Sequence, residues 1–536
     1  VTSSEQIVDG FVRGLRASGI EVEPGEVALE RPPRPEHGDL SSNVALVVAG
    51  RAGRAPRAIA EELAARLTAF DLPHVEAVDV AGPGFVNLHV RPSYFHEALA
   101  AVLAAGPADY ARPDIGKGER VQIEFVSANP TGPLHVGNGW FASFGDALAR
   151  LLERCGYAVE REYYLNDTGN QIRLLGESLL ARRAGTAPPE EGYQGAYLVE
   201  LAASYDGPDD ATAAGRFASD AVVENIRATL ARLGVVYDRW FSQASIEEGG
   251  QVEETIEILR AKGLVYEKDG ATWFASREHG DSRDRVLVTS AGERTYLAGD
   301  IAYHRDKFLV RGFDRVIDVF GADHHGQVPS LRAAVAALDI DPGRLEVELG
   351  QLVSLVSGRM SKRSGQYVRL DELIDILGPD ATRLLALMGS INQATTIDLD
   401  AVRRQSMENP VYYVQYAHAR IASIERVAAE RGVTTPPPGE TGLSVLVDPH
   451  ELELIRCLID LPGVLETAAA GRAPYKVTNW VRQLAADFHG FYHECRVLGD
   501  EVPLPLTKAR LALVAAVRIG LAIGLGVLGV AAPESM

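Results

Sequence analysis

Cysteine is scarce. The 536-residue chain holds three, Cys155, Cys457 and Cys495, with no C-x-x-C pair among them. Neither a disulfide framework nor a cysteine-built zinc site is expected, and a reducing compartment is the natural home. The first twenty residues, VTSSEQIVDGFVRGLRASGI, lack the apolar stretch of a signal peptide. No internal repeat is apparent. Positive charge is in deficit: 53 Lys and Arg stand against 73 Asp and Glu, a net of −20. That balance argues against gripping nucleic acid by bulk electrostatics. The deficit is uneven, because residues 391–536 hold 13 basic and 16 acidic residues. The C-terminal third is therefore the part least repulsive to a phosphate backbone.

What is present is ordinary globular composition, 46% hydrophobic and 24% charged, which excludes a disordered or fibrous chain. At roughly 150 residues per domain the length suggests three or four domains. One apolar run, LALVAAVRIGLAIGLGVLGVAA (511–532), is long enough to cross a bilayer. Arg518 interrupts it and nothing basic follows, so a buried C-terminal helix is the expectation.

The first ~110 residues read as a small α/β domain. Ile7, Phe11 and Leu15 recur at helical spacing, as do Ile59, Leu63 and Leu67. EHGDLSSNVAL reads as a loop entering a helix, and AGPGFVNLHV as a strand with its turn. GPADYARPDIGKGER (106–120) reads as a linker. Beyond it Val121, Ile123 and Phe125 alternate with Gln122 and Glu124 as in a strand. A turn-rich loop follows, then a helix through Phe141, Phe144, Leu148, Leu151 and Leu152, then the strand VEREYYL. This order predicts a βαβ unit and a parallel sheet over 111–390, interrupted by a helical insertion at about 170–232. Further strand–helix units are expected from RVLVTS through RVIDVFGADHHG. From about 395 the pattern becomes wholly helical, with Val411, Val414 and Ala417 on one face. The fold class is α/β: a Rossmann-type parallel-sheet catalytic domain with a small N-terminal α/β domain and a C-terminal all-helical bundle.

Two segments could carry chemistry. In SANPTGPLHVGN (127–138) a strand end leads to a helix start, where backbone N–H groups favour phosphate. Gly137 permits close approach of a base or ribose, and His135 can hydrogen-bond phosphoryl oxygens. A turn with a capping Asn is the plain alternative. In RMSKRSG (359–365) Arg359, Lys362 and Arg363 alternate with small residues in a loop suited to ATP's β and γ phosphates; alone it could equally be a solvated basic turn.

Together, in this order and about 225 residues apart, the two segments resemble the HIGH and KMSKS motifs of class I aminoacyl-tRNA synthetases. Within that class the chain is similar to the arginyl-tRNA synthetase family over essentially its whole length. IEFVSANPTGPLHVGN, REYYLNDTGNQI, WFSQASIEEG, DRVLVTSAGERTYLAGDIAYHRDKF, FGADHHGQVPSL, GPDATRLLALM, NPVYYVQYAHARI, DFHGFYHECRVL and GVAAPESM carry that resemblance. It implies an N-terminal additional domain contacting tRNA (1–110), a class I catalytic domain (111–390) and an anticodon-binding bundle (391–536).

It also implies the site. ATP would be held by His135, Gly137, Asn138, Met360, Ser361 and Lys362, with His135, Asn138 and Lys362 serving catalysis. Glu124, Ser127, Asn129, Tyr296, Asp300, Asp323 and His324 would line the arginine pocket. Tyr412, Tyr416, His418, Arg420 and Met536 would meet tRNA. Carboxylates suit a guanidinium through forked hydrogen bonds, and aromatics beside a cation suit unpaired bases. Without the resemblance, Glu124 would read as an exposed strand carboxylate, Asp300 as a helix cap, and Tyr296 and the other tyrosines as core. The implied activity is arginine–tRNA ligation with ATP and Mg²⁺, by a cytoplasmic monomer without membrane contact. No resident metal is expected: His324 and His325, adjacent on an extended segment, would point opposite ways. Gly524, Gly526 and Gly529 fit G-x-G-x-x-G by chance, since too little chain follows for a dinucleotide fold.

Three features depart from the family: Asn138 where His is common, Trp140 where a cation is common, and Arg359 for the first Lys of the basic loop. A nucleotidylyltransferase, a ligase for another amino acid, and an inactive tRNA-binding relative are the rival readings.

Overall fold

The computed structural model describes residues 3–32, 34–351, 353–355, 368–397, 409–434 and 442–536. The N-terminal part contains α1 (Ser3–Ala17), β1 (Leu40–Ser42), α2 (Val44–Ala52), α3 (Pro56–Ala69), β2 (Val75–Ala81), β3 (Phe85–Val90) and α4 (Pro92–Asp109). Its three strands form an antiparallel sheet in the order β1-β3-β2. Ile7, Phe11, Leu15, Ile59, Leu63 and Leu67 are all buried between these elements. Helix α4 continues into the expected linker, kinking at Gly106, whose φ of 64° lets the chain turn ahead of Pro107.

The central sheet is entirely parallel. Its strands are β4 (Arg120–Glu124), β5 (Ala158–Leu165), β6 (Arg239–Ser242), β10 (Arg315–Gly321) and β11 (Leu345–Gly350), in the order β11-β10-β4-β5-β6. The chain builds outward from β4 through β5 to β6, then returns to the other side of β4 for β10 and β11. The strand order therefore reverses between β4 and β10, the place where open parallel sheets bind ligands, beyond the carboxyl ends of the strands. Helix α5 (Val136–Arg154) joins β4 to β5. Gly145 on α5 allows the closest approach of helix to sheet, since a Cβ there would lie 2.2 Å from the Phe125 ring. The period-2 reading of β4 needs correcting: Gln122 and Glu124 are as buried as Val121 and Ile123, because helices cover both faces of a parallel sheet.

Between β5 and β6 lie α6 (Asn170–Arg183), α7 (Tyr197–Ser204) and α8 (Ala211–Arg232). Then come α9 (Gln243–Glu248), α10 (Gln251–Ala261) and an antiparallel sheet of β7 (Val265–Lys268), β8 (Ala271–Phe274) and β9 (Arg285–Val288). RVLVTS thus supplies β9 of a separate small sheet, not a unit of the parallel one. Helices α11 (Tyr296–Arg305) and α12 (Val328–Ala337) flank β10 in sequence.

Past β11 come β12 (Val353–Leu355), α13 (Leu370–Leu377), α14 (Pro379–Ala386) and β13 (Thr395–Ile397). β13 pairs in parallel with β12, so the region after 395 is not wholly helical as expected. The C-terminal helices are α15 (Pro410–Glu430), α16 (Pro449–Ile459), α17 (Leu461–Ala470), α18 (Tyr475–Glu494) and α19 (Leu504–Leu528). α19 is the one described helix apolar and long enough to cross a membrane, and 72% of its apolar window is buried within the protein. Its small residues admit neighbours: a Cβ on Gly524 would meet Val481 at 2.3 Å. Arg518, which breaks the apolar run, pairs with Glu425 and Glu534.

Candidate functional site

The first chemical segment leaves β4 through a strained turn. Val126 and Ser127 have φ of 71° and 38°, conformations that non-glycine residues adopt at a cost of about 1–3 kcal/mol. The turn is pinned by neighbours: the Tyr164 backbone N–H donates to Ser127 Oγ at 3.1 Å, and the Tyr163 hydroxyl donates to the Ala128 carbonyl at 2.9 Å. Asn129 is exposed. His135 is the N-cap of α5, accepting from Asn138 N–H through Nδ1 at 3.3 Å, while Asn138 Oδ1 accepts from His135 N–H at 3.0 Å. This reciprocal cap satisfies donors at the helix start. Trp140, where the family often has a cation, faces inward. It is buried in a cluster with Val136 and Leu373, so it packs α5 against α13.

Residues 368–370, just past the second segment, meet the first through the backbone. His135 and Arg369 form an isolated antiparallel bridge. Val136 N–H donates to the Val368 carbonyl at 3.2 Å, and Leu370 N–H to the Leu134 carbonyl at 2.9 Å. Met360, Ser361, Lys362 and Arg359 lie outside the described residues, but the chain re-enters at residue 368 directly against the His135 loop.

Beside this loop lies a row of carboxylates that sequence reading found only in part. In the parallel register Asp318 of β10 is the partner of Glu124 of β4, and Glu124 is the partner of Glu162 of β5. All three are buried; Glu124, 6% exposed, is not the solvated strand residue that periodicity allowed. Lys307, fully buried, lies 2.7 Å from Glu124 Oε2 and 2.8 Å from Asp318 Oδ1. His304 Nε2 lies 2.9 Å from Asp318 Oδ2. Burial alone would raise the Asp318 carboxyl, but Lys307 and His304 reverse that and hold it below its ordinary value. Glu162 is taken up by Arg311, which donates to Oε1 at 2.9 Å and also binds Oε2, and by the Tyr303 hydroxyl.

Two carboxylates keep uncommitted oxygens. Glu124 Oε1 and the Asp300 carboxylate have no hydrogen-bond partner among the described residues. Asp300 stands on α11, where only its backbone carbonyl is used, meeting His304 Nδ1 at 2.7 Å. Burial pushes its carboxyl up to about 6; His304 and Lys307 oppose the rise, and Glu124 and Asp318 add to it. Tyr296, one turn earlier on α11, is 70% exposed and no core aromatic. Asp323 and His324 are exposed on a short 3₁₀ turn, Ala322–Gln327, immediately beyond β10. The two histidines thus sit on a helical turn and not on an extended segment as expected.

On the C-terminal bundle Tyr412 and Tyr416 stack with centroids 5.6 Å apart. Arg420 lies over Tyr416 at 4.7 Å and over Tyr492 of α18 at 4.5 Å. His418 does not share this face. It is buried on another side of α15, with Nδ1 2.8 Å from the Pro533 carbonyl. Met536 is exposed. Tyr492, Lys307, Asp318 and Glu162 escaped sequence reading. Tyr492, Lys307 and Glu162 lie within quoted family segments, but nothing local to any of the four marked it out.

Asp448, His450 and Cys495 are the one group among the described residues whose donor atoms cluster, within 4.8 Å. Asp448 caps α16 there, accepting from His450 N–H at 2.9 Å.

A parallel sheet whose order reverses beside a helix N-terminus, met there by residues 368–370 from beyond β11, fits a class I aminoacyl-tRNA synthetase fold. The family of class I (R) tRNA synthetase catalytic domains matches residues 100–188 and 190–422. The arginyl tRNA synthetase N-terminal domain family matches 5–90, and the DALR anticodon binding domain family 414–536. The chain belongs to the arginyl-tRNA synthetase family. It is 45% identical over 529 residues to the arginine–tRNA ligase of Carboxydothermus hydrogenoformans, covering 95% of this chain and 94% of the relative. To that of Moorella thermoacetica it is 46% identical over 531 residues, covering 95% and 94%. The arginyl-tRNA synthetase structure of Thermus thermophilus superposes with a TM-score of 0.77 at 23% identity, covering 99% of both chains, a likeness of fold.

Proposed function

We propose that this protein charges tRNA-Arg. The carboxylate of arginine attacks the α-phosphate of ATP, giving arginyl-adenylate and pyrophosphate. A hydroxyl of the tRNA's terminal ribose then takes the arginyl group, releasing AMP. The observation that carries the reading is the pair of uncommitted acceptors, Glu124 Oε1 and Asp300, beside the His135 loop. A guanidinium is the cation whose planar donors span two such carboxylates. Tyr296, Asp323 and His324 would border the bound arginine, and Ser127 and Asn129 would meet its α-amino and carboxylate ends. The N-terminus of α5 with His135, Gly137 and Asn138 would hold ATP, and the loop carrying Met360, Ser361 and Lys362 would bind its phosphates as charge builds on them. Mg²⁺ enters with the ATP phosphates as part of the substrate. Positioning and charge stabilisation carry phosphoryl chemistry of this kind, without a covalent nucleophile.

Residues 1–110 and 391–536 would contact tRNA, the latter through Tyr412, Tyr416, Arg420 and Met536, joined by Tyr492. The protein would act as a cytoplasmic monomer; its three cysteines are buried free thiols, which suits a reducing compartment. Charging of total tRNA with each labelled amino acid tests the reading. Arginine alone should become acid-precipitable, with Lys362→Ala reducing the rate about a hundredfold or more. Charging with another amino acid, or tRNA binding without pyrophosphate release, would overturn it.

A further inference from the structure

Lys307 lies within the quoted segment DRVLVTSAGERTYLAGDIAYHRDKF but had no role assigned to it there, yet it is a fully buried cation within the site. Three carboxylates stand side by side on adjacent parallel strands: Asp318, Glu124 and Glu162. Such strands lie ~4.8 Å apart, so like charges at one rung repel unless counter-cations divide them. Arg311 serves the Glu162 end, with Arg239 3.6 Å from Glu162 Oε2. Lys307 serves the other end, joined to Glu124 and Asp318 at once. Its ammonium also lies 4.2 Å from the centre of the Tyr303 ring, whose hydroxyl is engaged by Glu162. Burial would lower the Lys307 pKa, but Asp318, Glu124 and Glu162 hold it above its ordinary value. It is therefore a permanent cation.

Resting on the reading of Glu124 as an arginine ligand, we infer that Lys307 is the positioning residue that sets arginine affinity. It occupies Glu124 Oε2 and offsets Asp318, so the recess offers its substrate one fixed oxygen of Glu124 plus Asp300. With Asp318 satisfied on both oxygens by Lys307 and His304, an incoming guanidinium meets Glu124 and Asp300 and no other free acceptor in the row. Without Lys307, Glu124 and Asp318 share no counter-charge. One carboxyl takes up a proton or turns towards the other's partners, and the two-point fork is lost.

The experiment is steady-state charging with Lys307→Met, which keeps an unbranched side chain one atom shorter and removes its charge. The Michaelis constant for arginine should rise about tenfold or more with that for ATP within about twofold. Adding Asp318→Asn removes the orphaned anion, and Lys307→Met/Asp318→Asn should recover most of the arginine affinity. A role in packing alone would make the double variant worse than the single. An arginine constant within about twofold of the unaltered protein in Lys307→Met, or a double variant no better than the single, overturns the inference. If Lys307→Met does not fold, the double variant is set against Asp318→Asn, in which Lys307 is left to Glu124 alone; it must then bind arginine the more tightly of the two, or the inference falls. Glu124→Gln separates the two levels of the argument. If it leaves the arginine constant unchanged, the pocket reading itself fails; if it raises the constant while Lys307→Met does not, only the role of Lys307 is lost.

Discussion

Arg369 and His135 pair through their backbones as an isolated antiparallel bridge. The two residues are 234 positions apart in the chain, and the bridge brings the segment just after the basic loop onto the cap of α5. On the proposed reading, ATP bound at that cap would lie beside the bridge.

Gly139 leaves room for Leu370, the residue that follows the bridge. A Cβ at this position would lie 2.5 Å from Leu370 Cδ1. Gly139→Val should push α13 away from α5 and raise the Michaelis constant for ATP about tenfold, while tRNA affinity stays unchanged. Pyrophosphate exchange measured against ATP concentration, in the presence of tRNA, checks this.

Arginine binding should depend on pH through Asp300. Its carboxyl, pushed up to about 6 by burial first of all, is ionised above that pH and protonated below. Affinity for arginine should therefore fall as pH drops through 6, and binding near pH 6 should release protons. Calorimetry in buffers of different ionisation enthalpy reads that release directly. The sign for stability is opposite. Because the folded state holds this proton more tightly than the unfolded chain does, stability falls as pH rises from about 4 to 6. Asp300→Asn should accordingly be more resistant to urea than the unaltered protein at pH 7.5, while failing to bind arginine.

Arg383 ties three parts of the molecule together. Its fully buried guanidinium lies 2.6 Å from Asp146 on α5, 3.0 Å from the Leu528 carbonyl at the end of α19 and 3.2 Å from the Leu233 carbonyl after α8. Removing one partner of a buried ion pair costs about 3–5 kcal/mol. Arg383→Met should lower the urea midpoint sharply, and limited proteolysis should cut first near the C-terminal bundle.

The aromatic face of the bundle should act on tRNA alone. Stacking of an unpaired base on a side chain is worth about 1–3 kcal/mol, so Tyr492→Ala should raise the Michaelis constant for tRNA about tenfold or more. The dissociation constant of isolated tRNA, measured by filter binding, should rise in parallel. His418→Ala, which removes the bond to Pro533 on another side of the helix, should alter stability more than tRNA affinity.

Much of this molecule was legible before folding was considered. Apolar spacing marked α1 and α3, each of which buries a periodic face, and it marked α5 as well, because periodicity is a local property. The helix start at 135–138 was readable because His135, Gly137 and Asn138 lie within one turn of chain. Glu124, Tyr296 and Asp300 were nameable through family resemblance, although nothing local distinguished Glu124 from a solvated strand residue. RVLVTS misled because a short β-rich run does not say which sheet it joins. The strand at Thr395–Ile397 was missed because three residues carry too little pattern.

The amino-acid sequence by itself determined the class of fold, the order of its parts and the family. Those rest on local propensity and on ordered motifs. Only the tertiary structure decided that Asp318, Glu124 and Glu162 share one rung, that Lys307 divides two of them, and that Arg383 closes three elements on one guanidinium. The reason is physical: the position of a charge in sequence says nothing about the strand beside it, and the stability of a buried charge depends wholly on which opposite charge the fold sets within hydrogen-bond reach.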